Sequence, residues 1–190
     1  MADKLEVSFR TLLTKSEYNK LCKLYSDKPS NLQTNYYFDT TRYTLKAAEV
    51  VLRVRIREGN RYELALRRKK GYNKVEIINE ITEEQFKKFL ETGDIPSLEI
   101  KAEIGELVKE QKIINYMSLS TFRIFFPHKH GVLAIDKCEY LGQIDYELEF
   151  QATTRDQGKR DFVETVKELG ISYKVAETKI KRAYNALKRL

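Results

Sequence analysis

Hydrophobic and polar residues alternate with a period of two along much of this chain, most clearly over residues 51–70, VLRVRIREGNRYELALRRKK. Leu52, Val54 and Ile56 fall on one side and Arg53, Arg55 and Arg57 on the other. After Glu58-Gly59-Asn60 the alternation resumes, with Tyr62, Leu64 and Leu66 opposite Glu63, Arg67 and Lys69. Strict alternation broken by a Gly/Asn turn predicts a β-hairpin with one apolar face. Residues 143–150, QIDYELEF, repeat the pattern with the opposite charge: Asp145, Glu147 and Glu149 against Ile144, Tyr146, Leu148 and Phe150. Leu5–Phe9 alternates too, placing Glu6, Ser8 and Arg10 opposite Leu5, Val7 and Phe9. Further strands are expected over 34–40, 74–81, 117–126 and 132–137.

Elsewhere the period changes to that of a helix. Thr14-x-x-Glu17 and Thr82-x-x-Gln85 have the spacing of capping boxes, and Thr154-x-x-Gln157 has the same form. Tyr18, Leu21, Cys22 and Tyr25 follow the first at helical spacing, and Phe86, Phe89 and Leu90 follow the second, with Gly93 as its stop. A shorter helical pattern covers 97–108 and a last amphipathic one 176–190. Pro127 and Gly131 bracket a turn whose histidines, His128 and His130, are expected to be solvated. About eight strands and four or five helices result. Because consecutive strands have short connections, the expected fold class is α+β with a mostly antiparallel sheet, in one domain over residues 1–190.

Composition narrows the function. The 190 residues are 42% hydrophobic and 33% charged, as in an ordered globular domain. No apolar run reaches the roughly 20 residues of a membrane span, and the N-terminus has no signal-type apolar stretch, so no membrane partner and a cytoplasmic location are expected. Cys22 and Cys138 belong to no CxxC motif and read as reduced thiols. The net charge of +7, from 35 basic and 28 acidic residues, favours an anionic partner. Nucleic acid is an unlikely one, since RNP-like, zinc-finger and basic-tail signals are missing. There is also no P-loop, Rossmann, GxSxG or HExxH motif.

What remains is the charge on the polar faces. Arginines at i, i+2 and i+4 stand only about 7 Å apart along a strand and repel one another unless anions intervene. An open sheet with one wet face would account for each strand separately. A barrel with a charged lumen would account for Arg or Glu recurring in so many of them. In the second case carboxylates suited to hard metal ions would stand beside guanidinium groups suited to phosphate.

The ordered set of motifs resembles the CYTH superfamily, the triphosphate tunnel metalloenzymes, in its small bacterial branch related to class IV adenylate cyclase and thiamine triphosphatase. It comprises Leu5-Glu-Val-Ser-Phe-Arg10, Tyr37-Phe-Asp-Thr40, Leu52-Arg-Val-Arg55, Leu64-Ala-Leu-Arg67, Ser120-Thr-Phe-Arg123, Ile135-Asp136, Glu139-Tyr-Leu-Gly142 and Asp145-Tyr-Glu-Leu-Glu149. The resemblance implies an eight-stranded antiparallel β-barrel, or tunnel, with a charged lumen and flanking helices. It implies a metal-dependent hydrolase acting on inorganic triphosphate or thiamine triphosphate, with Mg2+ or Mn2+ as cofactor. A CYTH-type adenylate cyclase and a non-catalytic polyphosphate or nucleotide binder are the alternatives. Carried over by position, Glu6, Glu80, Asp136, Glu147 and Glu149 would hold metal. Arg10, Arg53, Arg55, Arg67, Arg123 and Lys179 would hold phosphate, and Glu147, Glu149 and Arg67 would carry catalysis. The family's ExExK motif reads Glu6-Val7-Ser8-Phe9-Arg10 here, so a hydroxyl stands for a carboxylate and arginine for lysine. Arginine holds phosphate well but is a poor proton donor. Substrate, hydrolysis versus cyclisation, preferred metal and monomer versus homodimer stay open at this level.

Overall fold

A computed structural model describes residues 7–70 and 73–189. In chain order the elements are β1 (Val7–Leu13), α1 (Lys15–Leu24), β2 (Ser30–Thr40), α2 (Thr44–Ala47), β3 (Val50–Arg57), β4 (Arg61–Lys70) and β5 (Asn73–Ile81). Then come α3 (Glu83–Thr92), α4 (Leu98–Ile104), β6 (Ile113–His128), β7 (Gly131–Tyr140), β8 (Gln143–Ala152), α5 (Arg155–Glu168) and α6 (Lys179–Leu187). Among the described residues the eight strands form one hydrogen-bonded sheet in the order β1-β8-β7-β6-β2-β3-β4-β5, an α+β architecture. The pairs β1–β8, β7–β8, β2–β3, β3–β4 and β4–β5 are antiparallel. The chain divides into two compact units, Met1–Leu32 with Thr121–Leu190, and Gln33–Ser120.

In the first unit the apolar faces of β7 and β8 supply Leu133, Ile135, Leu148 and Phe150, all fully buried with Leu21 of α1 and Phe162 of α5. Phe9 stacks on Phe162 at 5.9 Å between ring centroids, which fixes α5 against β1. In the second unit Leu52, Val54, Leu64 and Leu66 bury the other side of the arginine-bearing hairpin against α3. There Phe38 stacks on Phe89 at 4.1 Å. Each such side chain contributes about 1.5–3 kcal/mol on burial. The alternation thus orients both charged faces, because burying one set of side chains directs the next set to the opposite face.

Helix starts follow the capping arithmetic. Thr14 Oγ1 accepts from Glu17 N at 3.2 Å while Glu17 Oε2 accepts from Thr14 N at 2.6 Å. Thr82 and Gln85 repeat this at 3.1 and 2.8 Å. Gly93 ends α3 at φ 77°, and a Cβ there would meet Ile113 O at 2.4 Å, so glycine is required twice over. Thr154 starts α5 without a side-chain cap, because Gln157 instead donates to Asp161 Oδ1 at 2.7 Å.

In the histidine turn His130 is exposed, as expected, while His128 is partly buried and the turn is tied to α5. His128 shares a hydrogen bond with Thr165 Oγ1 at 3.0 Å, His130 Nδ1 lies 3.1 Å from Asp161, and Lys129 pairs with Glu164 and Glu168. The turn is pinned to α5 by contacts that local sequence cannot show. The one-turn α2 is a further element outside the periodic patterns. Buried Asp39 organises it, accepting from Thr40 N and Leu45 N through Oδ1 and from Lys46 N through Oδ2 at 2.7–2.9 Å. The last helix starts at Lys179 rather than 176, because the preceding segment runs along the edge of β1. Thr11 Oγ1 accepts from Lys174 N at 2.8 Å and lies 3.1 Å from Lys174 O, with a β-bridge from Thr11 to Val175.

Candidate functional site

In the first unit, the fold gathers charge from four strands and a helix. Arg10 of β1 lies opposite Glu149 of β8, and Asp136 of β7 lies opposite Glu147. Asp136 and Glu147 are fully buried and Glu149 is 7% exposed. One carboxylate oxygen from each lies within 4.8 Å of the others. Nζ of Lys179, the first residue of α6, sits at the focus: 2.7 Å from Asp136 Oδ2, 2.8 Å from Glu147 Oε1 and 3.3 Å from Glu149 Oε2. Arg123 forks onto Asp136 with bonds of 2.8 and 2.7 Å and also donates to Glu149. Arg10 lies 3.8 Å from Glu147 and 3.5 Å from Glu149, and it donates to Ser8 Oγ. Burial by itself pushes the Glu149 carboxyl up, but Lys179, Arg123 and Arg10 outweigh it and hold the group down at about 2. Burial likewise works against the charged forms of Lys179 and Arg123. Their carboxylate partners reverse this and drive both above their ordinary values.

Sequence reasoning missed Arg182 as a partner here. Its guanidinium donates to both oxygens of Asp145 at 2.8 and 2.9 Å and to Glu147 Oε2 at 2.6 Å. The signal was available: Lys179 and Arg182 stand at i, i+3 and share one face of a helix. Tyr140, fully packed, donates to Asp145, and burial followed by that carboxylate pushes the phenol up to about 12.

The second unit presents a different balance. Arg53, Arg55 and Arg57 of β3 share a face with Glu63 and Arg67 of β4 and Glu76 and Glu80 of β5, as the cross-strand pairs Arg55–Glu63–Glu80 and Val51–Arg67–Glu76 require. Arg53 is 7% exposed, yet its Nε and Nη2 have no hydrogen-bond partner among the described residues. Its nearest anion is Glu63 at 3.8 Å, which also lies 4.0 Å from Arg55 and 3.4 Å from Arg57. Burial and then the charge of Arg67 lower the Arg53 pKa. Burial and then Arg53 bring Arg55 to about 10, although Arg55 Nε donates to Asn35 at 3.0 Å. Among the described residues the ion pairs of Arg53, Arg55 and Arg57 share one carboxylate, Glu63.

The sequence-predicted residues therefore fall into distinct surroundings. Asp136, Glu147, Glu149, Arg10, Arg123 and Lys179 converge in the first unit. Arg53 is buried and Arg55 partly buried in the second, where Arg67 is half exposed and paired with Glu76. Glu80 is exposed on β5 and stands outside the acidic trio, and Glu6 lies outside the described residues.

A CYTH-domain model matches residues 4–184, nearly the whole chain. The chain belongs to the CYTH family. It is 28% identical over 187 residues to YjbK of Bacillus subtilis (strain 168), a protein whose name proposes a triphosphatase, covering 97% of this chain and 96% of that one. A crystal structure from Bacillus halodurans, described as a proposed adenylate cyclase, superposes with a TM-score of 0.79 at 28% identity, covering 96% and 98% of the two chains. HpAC1 of Hippeastrum, a proposed adenylyl cyclase with a dominant triphosphatase activity, shares the fold at a TM-score of 0.76 and 19% identity, covering 94% and 95%. The CYTH family is one of metalloenzymes, and the trio suits a hard cation: three buried carboxylates converge on a point that already holds a positive charge, the Lys179 ammonium. Among the described residues no helix is long and apolar enough to cross a membrane.

Proposed function

We propose that this CYTH protein hydrolyses a short triphosphate in a reaction that depends on Mg2+ or Mn2+, with inorganic triphosphate ahead of thiamine triphosphate. The observation that carries the reading is Arg53, a buried guanidinium whose Nε and Nη2 have no hydrogen-bond partner among the described residues. Such a group costs stability unless an anion completes it, and phosphate oxygens match its fork. Arg55 next to it supplies a second fork. Asp136, Glu147 and Glu149 are the residues that would hold the divalent ion, which would supply a Lewis acid for phosphate charge and for lowering the pKa of water. Arg10 and Arg123 offset charge that develops on the transferred phosphoryl group. Arg67, paired with Glu76, is more exposed than Arg53 and Arg55. The proposed triphosphatase name of YjbK agrees with this reading. Both cysteines are free thiols, consistent with a reducing cytoplasm.

The adenylate cyclase description of the Bacillus halodurans relative supplies the second reading. One panel separates the two. Inorganic triphosphate, thiamine triphosphate and ATP are each incubated with Mg2+, Mn2+ or EDTA, and phosphate, pyrophosphate and cyclic AMP are measured separately. Phosphate release from inorganic triphosphate that stops with EDTA is the expected result. Cyclic AMP with pyrophosphate from ATP would establish the cyclase instead. Metal-insensitive polyphosphate binding without product would make the protein a binder.

A further inference from the structure

We propose that Lys179 is a built-in competitor for the divalent cation: its ammonium and the ion take the same place among Asp136, Glu147 and Glu149 and exclude one another. The inference rests on the reading of that trio as the cation site. Among the described residues Lys179 is the cation that reaches all three carboxylates, at 2.7, 2.8 and 3.3 Å. Arg10 reaches Glu147 and Glu149, Arg123 reaches Asp136 and Glu149, and Arg182 reaches Asp145 and Glu147. An ion coordinated at about 2.0–2.2 Å by these oxygens would lie in the volume the ammonium fills.

Charge leads to the same conclusion. Asp136, Asp145, Glu147 and Glu149 face Arg10, Arg123, Lys179 and Arg182, four negative charges against four positive. Among the described residues the cluster is neutral as it stands. A divalent ion added with every pair intact would leave two uncompensated charges in a buried space, whereas release of the ammonium relieves one of them. Lys179 is also the member able to leave. Its charge sits on a flexible four-carbon stem, and α6 keeps its hold through Arg182, forked onto Asp145 and bonded to Glu177 O at 2.6 Å. The freed ammonium is then a donor for phosphate. Metal and anion consequently reinforce one another's binding, by the reciprocity of linked equilibria.

The test is Mn2+ binding to the full chain by isothermal titration calorimetry, for wild type, Lys179→Met and Arg182→Met. Both variants delete one positive charge near the trio, but only Lys179 occupies its focus. Competition predicts that Lys179→Met binds Mn2+ at least tenfold tighter than wild type, with a gain under threefold for Arg182→Met. Equal gains would mean general electrostatics, and an unchanged or weaker Lys179→Met would mean that Lys179 assists the ion; either overturns the proposal. Mn2+ binding by none of the three would remove the cation site itself, and the metal-dependent function with it. Should Lys179→Met fail to fold, wild type labelled with 15N-lysine decides. The slowly exchanging Nζ signal of an ion-paired buried lysine should vanish on saturation with Mg2+, and its persistence at saturation refutes exclusion.

Discussion

Replacing Arg53 with Met should make the protein more stable and a worse ligand binder at once. The side chain is 7% exposed, and its Nε and Nη2 lack hydrogen-bond partners among the described residues. Each unpaired buried N–H costs about 1–3 kcal/mol, and methionine fills a similar volume with none. Against this stands the Glu63 ion pair, at 3.8 Å a long one. Glu63 is not orphaned by the change, since Arg57 remains 3.4 Å away and Arg55 4.0 Å. Loss of Arg53 also relieves its repulsion of Arg55, a cause of that residue's lowered pKa. The net expectation is a gain of about 1–3 kcal/mol, which for a chain of this size raises Tm by about 3–8 °C. Phosphate binding should fall by about 1.5–3 kcal/mol for each charged hydrogen bond lost, roughly ten- to a hundredfold. Differential scanning fluorimetry with and without inorganic triphosphate reads both effects, because ligand that binds only the folded state raises the wild-type Tm. A variant that melts lower than wild type yet binds triphosphate equally well would refute the reasoning and make Arg53 a packing residue.

The acid limb of stability should report Glu149. Its folded pKa of about 2 lies below the ordinary 4.5, so its contribution is complete above pH 4.5 and is lost as pH falls towards 2. That amounts to about 3 kcal/mol in urea unfolding between pH 6 and 2, absent in Glu149→Gln. Glu147→Gln should abolish metal-dependent turnover and also cost about 3–5 kcal/mol in urea unfolding, because Lys179 and Arg182 lose a buried partner. Asp39→Ala removes the acceptor for Thr40, Leu45 and Lys46 N–H groups and should cost about 2–4 kcal/mol, with faster amide hydrogen exchange at Leu45 and Lys46. Ser8→Glu places a carboxylate beside Arg10 and Glu149 and should shift the Mn2+ midpoint to lower concentration; an unshifted midpoint removes Ser8 from the metal's surroundings.

The faces of the strands were legible because a period of two is a local property. Once Leu52, Val54, Leu64 and Leu66 are buried, Arg53, Arg55 and Glu63 have no choice of side. Capping boxes at Thr14 and Thr82 were legible for the same reason, since all their partners lie within three residues. The pairings that finish the site were not. Lys179 meets Asp136 across 43 positions of chain (179 − 136), and Arg182 meets Glu147 across 35. His130 finds Asp161, and Asp39 folds the α2 turn over itself, through contacts that depend on packing rather than spacing. Resemblance to a family named Lys179 as a phosphate ligand, whereas its ammonium sits among the carboxylates of Asp136, Glu147 and Glu149.

The two charged faces begin from the same sequence device and end in opposite electrostatic states. On β8 the carboxylates at i, i+2 and i+4 are answered by Arg10, Arg123, Lys179 and Arg182, and Glu149 is held ionised as a result. On β3 the arginines at i, i+2 and i+4 share Glu63 alone among the described ion pairs, and burial lowers the pKa of both Arg53 and Arg55. A fold selected for stability alone would place a second acid beside Arg53, as it has placed four bases along β8. Leaving two buried N–H groups open keeps a standing attraction for an anion at the expense of the unliganded protein. The departure at Ser8 fits the same logic. A glutamate at that position would add a negative charge to the cluster of the first unit and give Arg10 a further anionic partner beside Glu149. With serine there, Arg10 gives one N–H to a neutral hydroxyl and keeps long contacts to Glu147 and Glu149. The substitution thus trades a potential metal ligand for a cation more easily released to an anion.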